Sequence, residues 1–297
     1  MTSFGGSPVV RERHMNALYI CVPVPPESVQ HLVAHPAQLD LHGGSAWVCV
    51  VVDHLAEMHV HIGGGMFVNS RMTGWMTKLN LLVTADLPHV GEQQRGYQIV
   101  TLDFERCVSG SAKAFGARRT QFVPAATAQY DCSLPKSYRV DGSLYTVEDR
   151  AAAPAQVADP PSSSFERSIP GMHAAAAAAA ASKTRELLLL CAGEPMPLGH
   201  GASSSLSEAE EAALVRFVVD RPVKFLHHPS GALYASAWGN GHRCSADGCI
   251  ALKVERLEAP ILRRVGLGSA DLSRATVFVQ PEYSIVDHEH LRVPVSV

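Results

Sequence analysis

Apolar residues along this chain recur mostly at the spacings that β-strands produce. Residues 46–53 form a continuous, valine-rich apolar run, which is typical of a strand buried on both faces. Residues 96–104 alternate between apolar and polar side chains, and residues 78–84 form a similar short run, so both segments are predicted strands. The same pattern predicts further short strands at residues 16–24, 121–123, 128–132, 223–227, 233–238, 249–257, 275–279 and 291–295.

Turn and cap signals complete the predicted elements. Asp141-Gly142 lies between two alternating runs within residues 137–148 and predicts a hairpin. Residues 26–34 open after prolines and predict a short helix. Ser207 and Glu210 have the spacing of a capping box, which predicts a helix from residue 208 to residue 219. Many short strands and few short helices indicate a β-rich α+β fold.

Composition divides the chain into ordered and low-complexity parts. Residues 1–14 are interpreted as a flexible N-terminal tail. Residues 150–204 are rich in alanine, proline and serine and include eight consecutive alanines, so they are predicted to be a low-complexity insertion. Within it, residues 173–192 favour a helix because alanine and leucine have high helix propensity. Residues 15–149 and 205–297 are then expected to form one domain.

Charge and hydropathy exclude several classes of partner. The 297 residues are 46% hydrophobic and carry a formal net charge of -3, so neither nucleic acid nor an anionic membrane is an expected partner. No apolar run approaches the roughly 20 residues that a transmembrane helix needs. Seven scattered cysteines favour buried thiols in a reducing compartment over a disulfide framework. We expect a cytoplasmic protein, with a mitochondrial location as the alternative because the first eleven residues lack acidic side chains.

Short motifs give no case for a cofactor or a metal. Three consecutive glycines at residues 63–65 lack the spacing and the following helix of a dinucleotide site. His59 and His61 place two imidazoles on one face of an extended strand, the arrangement of a metal-ligand pair. No third ligand stands at a suitable spacing, so we expect neither a metal nor a cofactor.

Three segments carry a resemblance to a known family. They are Lys78-Leu79-Asn80, the strand from Gly96-Tyr97 to Leu102-Asp103, and the segment from Gly116-Ala117-Arg118 to Val123-Pro124-Ala125. In their order and spacing they resemble a bacterial branch, of unknown function, of the acetoacetate decarboxylase-like superfamily. The resemblance covers nearly all of the chain outside the tail and the insertion. It implies one β-barrel or sandwich domain with an internal cavity.

The resemblance also implies that the family's nucleophile is absent. A decarboxylase of this kind uses a lysine to form an imine with its substrate. By this alignment the lysine position is Ala125, which has no amine. Lys78 and Lys113 are the candidate replacements, against the alternative that each is an exposed or ion-paired lysine.

Three other residues are candidate ligand contacts. Arg118 aligns with an arginine at the relatives' cavity, where a guanidinium would hold a carboxylate; the alternative is an internal ion pair. Asn80 either hydrogen-bonds a ligand or satisfies buried backbone groups. Tyr97 is the third candidate.

Two functions remain open from the sequence. One is a cavity that binds a small organic acid, with a lyase or hydratase that works without the imine as its catalytic form. The other is a non-catalytic scaffold whose leucines at residues 187–190 dock on a protein partner or on a second copy of the chain. An open cavity lined by Arg118 and Asn80 would favour the first, whereas a cavity filled by Phe115, Phe122 or Tyr97 would exclude it.

Overall fold

The structure is a computed structural model and describes residues 8–63, 66–69, 73–87, 93–104, 118–119, 121–124, 138–145, 185–198, 206–227, 231–237, 248–288 and 291–293. Its strands are β1 (Pro8–Val24), β2 (Gln38–Leu39), β3 (Ala46–Gly63), β4 (Met66–Asn69), β5 (Gly74–Asp86), β6 (Gln93–Phe104), β7 (Arg118–Arg119), β8 (Gln121–Pro124), β9 (Tyr138–Tyr145), β10 (Arg185–Pro197), β11 (Val223–His227), β12 (Leu233–Ala237), β13 (Ile250–Glu258), β14 (Thr276–His288) and β15 (Leu291–Arg292). The α-helices are α1 (Pro26–Val29) and α2 (Glu208–Val219), and 3₁₀ turns span Gln30–Leu32, Pro260–Val265 and Leu272–Arg274.

All the described strands belong to one mixed sheet. Its order is β15-β12-β11-β6-β5-β3-β1-β14-β13-β10-β9-β8, with β2, β4 and β7 attached to β5, β3 and β6. Most neighbouring strands are antiparallel, but β11 pairs with β6 in parallel. The predicted β-rich α+β fold is confirmed. No helix among the described residues is both long and apolar enough to cross a membrane.

The continuous apolar run in β3 is explained by two cores, one on each face of the sheet. Val48, Val50 and Val52 point into the larger core, which also covers the β1 side chains Leu18 and Ile20. The intervening residues of β3 point into a second core, where the apolar face of α2 packs. Because both faces of β3 are covered, its alternating positions can all be apolar.

The capping box of α2 is confirmed. Ser207 Oγ accepts from the Glu210 backbone N–H, and the Ser207 backbone N–H donates to Glu210 Oε2 over 2.8 Å. The helix spans the predicted residues. In this reciprocal pair, each side chain accepts a hydrogen bond from the backbone N–H of the other residue. Without the pair, the first turn of the helix would leave both N–H groups without a partner.

Replacing Ser207 with alanine should therefore lower the free energy of unfolding by about 1 kcal/mol, because the N-terminal cap of α2 is lost. Chemical denaturation of the two proteins measures the difference. Ser207→Asp is the matched control, since a carboxylate also caps a helix, and it should stay within a few tenths of a kcal/mol of the unchanged protein. Equal losses in the two variants would contradict the capping role.

The predicted end of the N-terminal tail at residue 14 was wrong, because β1 begins at Pro8 within that tail. The first half of this strand pairs with both β3 and β14, although it is rich in charged residues. Arg13, for example, forms ion pairs with Glu57 on β3 at 3.0 Å and with Glu282 on β14 at 2.8 Å. Such cross-strand pairing allows a polar segment to join a sheet.

The predicted helix at residues 173–192 was wrong for its last part, which lies in β10. This strand pairs with β9 on one side and with β13 on the other. Leu189 and Leu190 are buried, so packing in the sheet overrides the helix propensity of leucine. Residues 173–184 lie outside the described part of the chain.

Two turn predictions near strands were also wrong. Asp141-Gly142 does not form a turn but lies inside β9, where Gly142 is opposite Pro124 of β8 and Leu189 of β10. The three glycines at residues 63–65 predict a loop over residues 62–71, but this segment contains the end of β3 and the short strand β4. In both cases, pairing with neighbouring strands extends the sheet through a segment with local turn signals.

Candidate functional site

A cavity of about 90 Å³ lies on the face of the sheet that α2 covers. Six strands that are adjacent in the sheet, β11, β6, β5, β3, β1 and β14, contribute to its wall. Strands lie about 4.8 Å apart in a flat sheet, so side chains from six of them converge only if the sheet curls strongly. The lining side chains are Glu12, Tyr19, Val51, Met76, Lys78, Asn80, Tyr97, Ile99, Lys224, Tyr283 and Ile285.

The central strand β5 contributes three successive side chains of one face. Met76, Lys78 and Asn80 are two residues apart and so point in the same direction. The pairing of β5 with β6 shifts by one residue between Leu79 and Asn80. Such a bulge bends a strand and increases its twist, which helps to close the wall around the cavity.

Asp53 is the buried anchor of the site. Its Oδ2 atom accepts hydrogen bonds from Lys78 Nζ at 2.9 Å and from the Tyr283 hydroxyl at 2.6 Å. The Asp53 side chain is fully buried, and its other oxygen has no hydrogen-bond partner among the described residues. The carboxylate therefore fixes both Lys78 and Tyr283 at the cavity wall.

His14 connects this anchor to a second carboxylate. Its Nε2 lies 3.1 Å from Glu12 Oε2, and its Nδ1 lies 3.3 Å from Asp53 Oδ2, an ion-pair distance without hydrogen-bond alignment. His14 is directly opposite Tyr283 on β14, and the two rings stack with their centroids 4.6 Å apart. The imidazole is fully buried behind the wall of the cavity.

The electrostatics of this cluster favour its charged forms. Burial opposes the ionisation of Asp53, but the charges of Lys78 and His14 and the hydrogen bonds to the carboxylate outweigh it, so the Asp53 pKa lies well below its usual value. For Glu12, burial is again outweighed by its hydrogen bond with His14 and by the nearby cations, and its pKa falls to about 2. Burial lowers the His14 pKa, yet the two carboxylates raise it above its usual value.

The cluster is therefore cationic when His14 is protonated. The charges of the two carboxylates Glu12 and Asp53, the two lysines Lys78 and Lys224 and the imidazolium sum to +1. With neutral His14 the net charge is zero. A site of this kind is electrostatically suited to one anionic group of a ligand.

The structure brings together three of the residues singled out from the sequence. Lys78, Asn80 and Tyr97 all line the cavity. The Tyr97 hydroxyl donates to the Val218 carbonyl of α2, so the ring lines the wall without blocking the cavity. Asn80 is buried, but its Oδ1 atom has no hydrogen-bond partner among the described residues, so this oxygen does not satisfy any of their backbone N–H groups.

The other candidates are not part of this described site. The backbones of Arg118 and Phe122 lie in β7 and β8, but their side chains lie outside the described part of the structure. Lys113, Phe115 and Ala125 lie outside the described residues altogether. His59 and His61 lie on the part of β3 that pairs with β4. In the described ranges, no three His, Cys, Asp or Glu side chains are grouped to hold a metal ion.

Sequence reasoning missed several residues of the site. Glu12 and His14 fell in the predicted tail, and Tyr283 lay beyond the predicted end of its strand. Asp53 was identified only as the last residue of an apolar run. A charged residue closing a continuous buried run was the one available signal, since such a carboxylate needs a buried partner.

Comparisons with known proteins identify the fold. No protein-family model matches the sequence, and no curated protein matches it. Among solved structures, the enduracididine biosynthesis enzyme MppR with bound HEPES buffer is similar, with 10% identity, a TM-score of 0.51, and coverage of 98% of this chain and 90% of that chain. Acetoacetate decarboxylase from Legionella pneumophila is similar with 9% identity, a TM-score of 0.50, and coverage of 99% and 90%. The chain therefore has the fold of the acetoacetate decarboxylase-like proteins.

Proposed function

We propose that the cavity binds a small organic acid. The observation that carries this proposal is the presence of two lysines, Lys78 and Lys224, in the wall of one partly open cavity. An ammonium group in a partly dehydrated pocket is a strong partner for a carboxylate, because the attraction between charges is less screened there than in water. When His14 is protonated, the net positive charge of the surrounding cluster acts in the same direction.

The remaining wall suits the rest of a short acid. Val51, Met76, Ile99 and Ile285 contribute apolar side chains to the same wall as the polar groups. Small-molecule sites commonly combine an apolar wall with a few polar groups that fix the orientation of the ligand. The volume exceeds by several fold the space that a single water molecule requires.

One solved structure of the same fold contains a ligand made from a short organic acid, which supports the proposal that this cavity also binds such an acid. MppR has been solved with the condensation product of pyruvate and imidazole 4-carboxaldehyde, and its chain matches this one with 10% identity, a TM-score of 0.51, and coverage of 98% of this chain and 92% of that chain. That ligand belongs to MppR. For the present chain it makes pyruvate a reasonable first probe.

The scaffold hypothesis loses one of the two observations behind it, while the absence of a lysine at residue 125 remains as the other. The leucines at residues 187–190 were expected to be a docking segment, but these residues lie in β10, between β9 and β13. Leu189 and Leu190 are buried inside this chain's own structure. Leu189 and Leu190 therefore present no apolar surface to a partner.

Titration calorimetry with pyruvate tests the binding proposal. We expect Lys78→Met and Lys224→Met each to weaken binding about tenfold, since a charge-assisted hydrogen bond to a carboxylate is lost. Lys253→Met is the matched control, because Lys253 is an exposed lysine of β13 away from the cavity wall, and its affinity should be unchanged. Unchanged affinity in both cavity variants would refute the proposal.

A second candidate is an enzyme of the lyase or hydratase type that acts on the same acid. The observation that favours it is the presence of Glu12 and Tyr283, two groups capable of proton transfer, beside Lys78 in the cavity wall. Borohydride treatment with a panel of keto acids, followed by mass spectrometry, separates the possible mechanisms. We expect no adduct; a reduced adduct on Lys78 would establish imine chemistry instead.

A further inference from the structure

The cavity wall contains hydrogen-bond acceptors as well as lysines. Asn80 is 5% exposed, and its side-chain Oδ1 is buried without a hydrogen-bond partner in the described part of the chain. A buried amide oxygen left without a partner costs about 1–3 kcal/mol. A bound ligand that offers an O–H or N–H group would recover that cost.

Glu12 provides a second acceptor on the same cavity. Only its Oε2 atom contacts His14, and the carboxylate lines the cavity. With a pKa of about 2 this group is ionised at neutral pH, and an ionised carboxylate accepts hydrogen bonds but donates none. The wall thus presents donors from Lys78 and Lys224 together with acceptors from Asn80 and Glu12.

We propose that the acid bound here carries a hydrogen-bond donor beside its carboxylate, as a short hydroxy acid or amino acid does. This inference rests on the proposed function and specifies its ligand. In that arrangement the ligand carboxylate contacts the lysines, and the O–H or N–H group donates to Asn80 Oδ1 or to Glu12.

An oxo acid fits the same wall less well. A ketone oxygen only accepts hydrogen bonds, so it offers nothing to an amide oxygen and is repelled by the Glu12 carboxylate. Rotation of the Asn80 amide would turn its NH₂ group towards a ketone, but the Glu12 repulsion would remain. Sites with buried hydrogen-bonding groups discriminate strongly against ligands that leave those groups without a partner.

Four acids with three carbon atoms test this inference because they differ only at the second carbon. Propionate has no polar group there, pyruvate has an acceptor, lactate has a hydroxyl and alanine has an ammonium. We expect lactate or alanine to bind about tenfold more tightly than propionate and pyruvate, as measured by calorimetry. Whichever of the two binds more tightly identifies O–H or ammonium as the donor.

Two variants locate the source of the preference. Asn80→Leu keeps a side chain of similar volume without the acceptor, and Glu12→Gln removes the negative charge. We expect at least one of them to reduce the preference over pyruvate to about twofold, while Lys253→Met retains it in full. Circular dichroism and thermal melting establish that each variant is folded, and because the two residues lie on different strands, either variant alone is informative.

The outcomes separate this inference from the proposed function. If pyruvate and propionate bind as tightly as lactate and alanine, the acid-binding proposal holds and the inference about the donor is overturned. If none of the four acids binds, the proposed function fails, and this inference fails with it. A preference that persists unchanged in both variants would also overturn the assignment of Asn80 and Glu12.

Discussion

Replacing Asp53 with asparagine should lower the free energy of unfolding by about 3 kcal/mol, although the two side chains have nearly the same shape. Asp53 Oδ2 accepts from both Lys78 Nζ and the Tyr283 hydroxyl, and it lies 3.3 Å from His14 Nδ1. The neutral amide would leave Lys78 and His14 without their buried counter-charge. Removing one member of a buried ion pair is costly because the other member keeps its desolvation penalty.

Urea denaturation of the two proteins measures this loss. Asp86→Asn is the matched control, because Asp86 is an exposed carboxylate at the end of β5, and its replacement should change stability by less than about 0.5 kcal/mol. The double variant Asp53→Asn with Lys78→Met should be less unstable than Asp53→Asn alone, since it removes the unpaired ammonium as well. Equal losses at Asp53 and Asp86 would contradict the anchoring role.

The difference in the free energy of unfolding between the unchanged protein and Asp53→Asn should also depend on pH, which provides a second measurement. The Asp53 pKa lies well below its unfolded value of about 3.9, so the ionised group stabilises the fold fully above that value, and this stabilisation is lost as the pH falls through the folded pKa. The difference in the free energy of unfolding between the unchanged protein and Asp53→Asn should thus be constant between about pH 5 and pH 6 and should become smaller below about pH 4. His14 acts in the opposite sense: its raised pKa stabilises the fold below about pH 6.5, and that contribution is lost as the pH rises through the folded value.

Most of the fold could be predicted from local patterns. The strand in residues 46–53, the alternating strand at residues 96–104 and the capped helix α2 all correspond to elements of the structure. These segments have a pattern that agrees with their surroundings, because apolar positions coincide with buried positions. The resemblance over three short segments correctly indicated the decarboxylase-like fold.

The polar half of the site could not be predicted in the same way. The segment from Arg11 to His14 contains four consecutive polar or charged residues, and it is a strand only because β3 and β14 pair with it on both sides. No local pattern contains that information. The partners of Asp53 lie 25 residues away at Lys78 and 230 residues away at Tyr283, so only the curled sheet brings them together.

The failure at β10 has the same origin. Its leucines favour a helix in isolation, but neighbouring strands on both sides determine the outcome. Lys78 and Asn80 could be identified from the sequence because they lie on a strand whose apolar residues make it recognisable. No sequence signal indicated Glu12 and His14, which complete the cavity cluster from a strand that is polar by pattern.

Replacing Arg221 with methionine should lower the free energy of unfolding by about 3–5 kcal/mol, the second large effect that we expect. Arg221 lies two residues beyond the end of α2 and is fully buried. Its Nε donates to the Phe217 carbonyl at 2.9 Å, its Nη1 donates to the Gly96 carbonyl at 3.2 Å, and its Nη2 lies 2.9 Å from Asp40 Oδ2. The guanidinium carbon also lies 4.5 Å from the centre of the Phe217 ring.

One side chain thus ties the C-terminal end of α2 to the sheet and to the segment that contains Asp40. Methionine fills a similar volume but donates no hydrogen bond, so the buried carbonyls of Phe217 and Gly96 lose a partner. Because Tyr97 also attaches to α2 through the Val218 carbonyl, loosening of this helix should weaken acid binding in the adjacent cavity as well.

Denaturant unfolding measures the loss, and Arg216→Met is the matched control. Arg216 is an exposed arginine in the last turn of the same helix, where a cation contributes about 0.3–1 kcal/mol through the helix dipole. Arg221→Lys should remain strongly destabilised, since an ammonium cannot reproduce the planar fork whose donors reach the Phe217 and Gly96 carbonyls while a third nitrogen lies beside Asp40. If Arg221→Met and Arg216→Met lose the same amount of stability, or if lysine restores it, then the buried guanidinium does not hold α2 on the sheet.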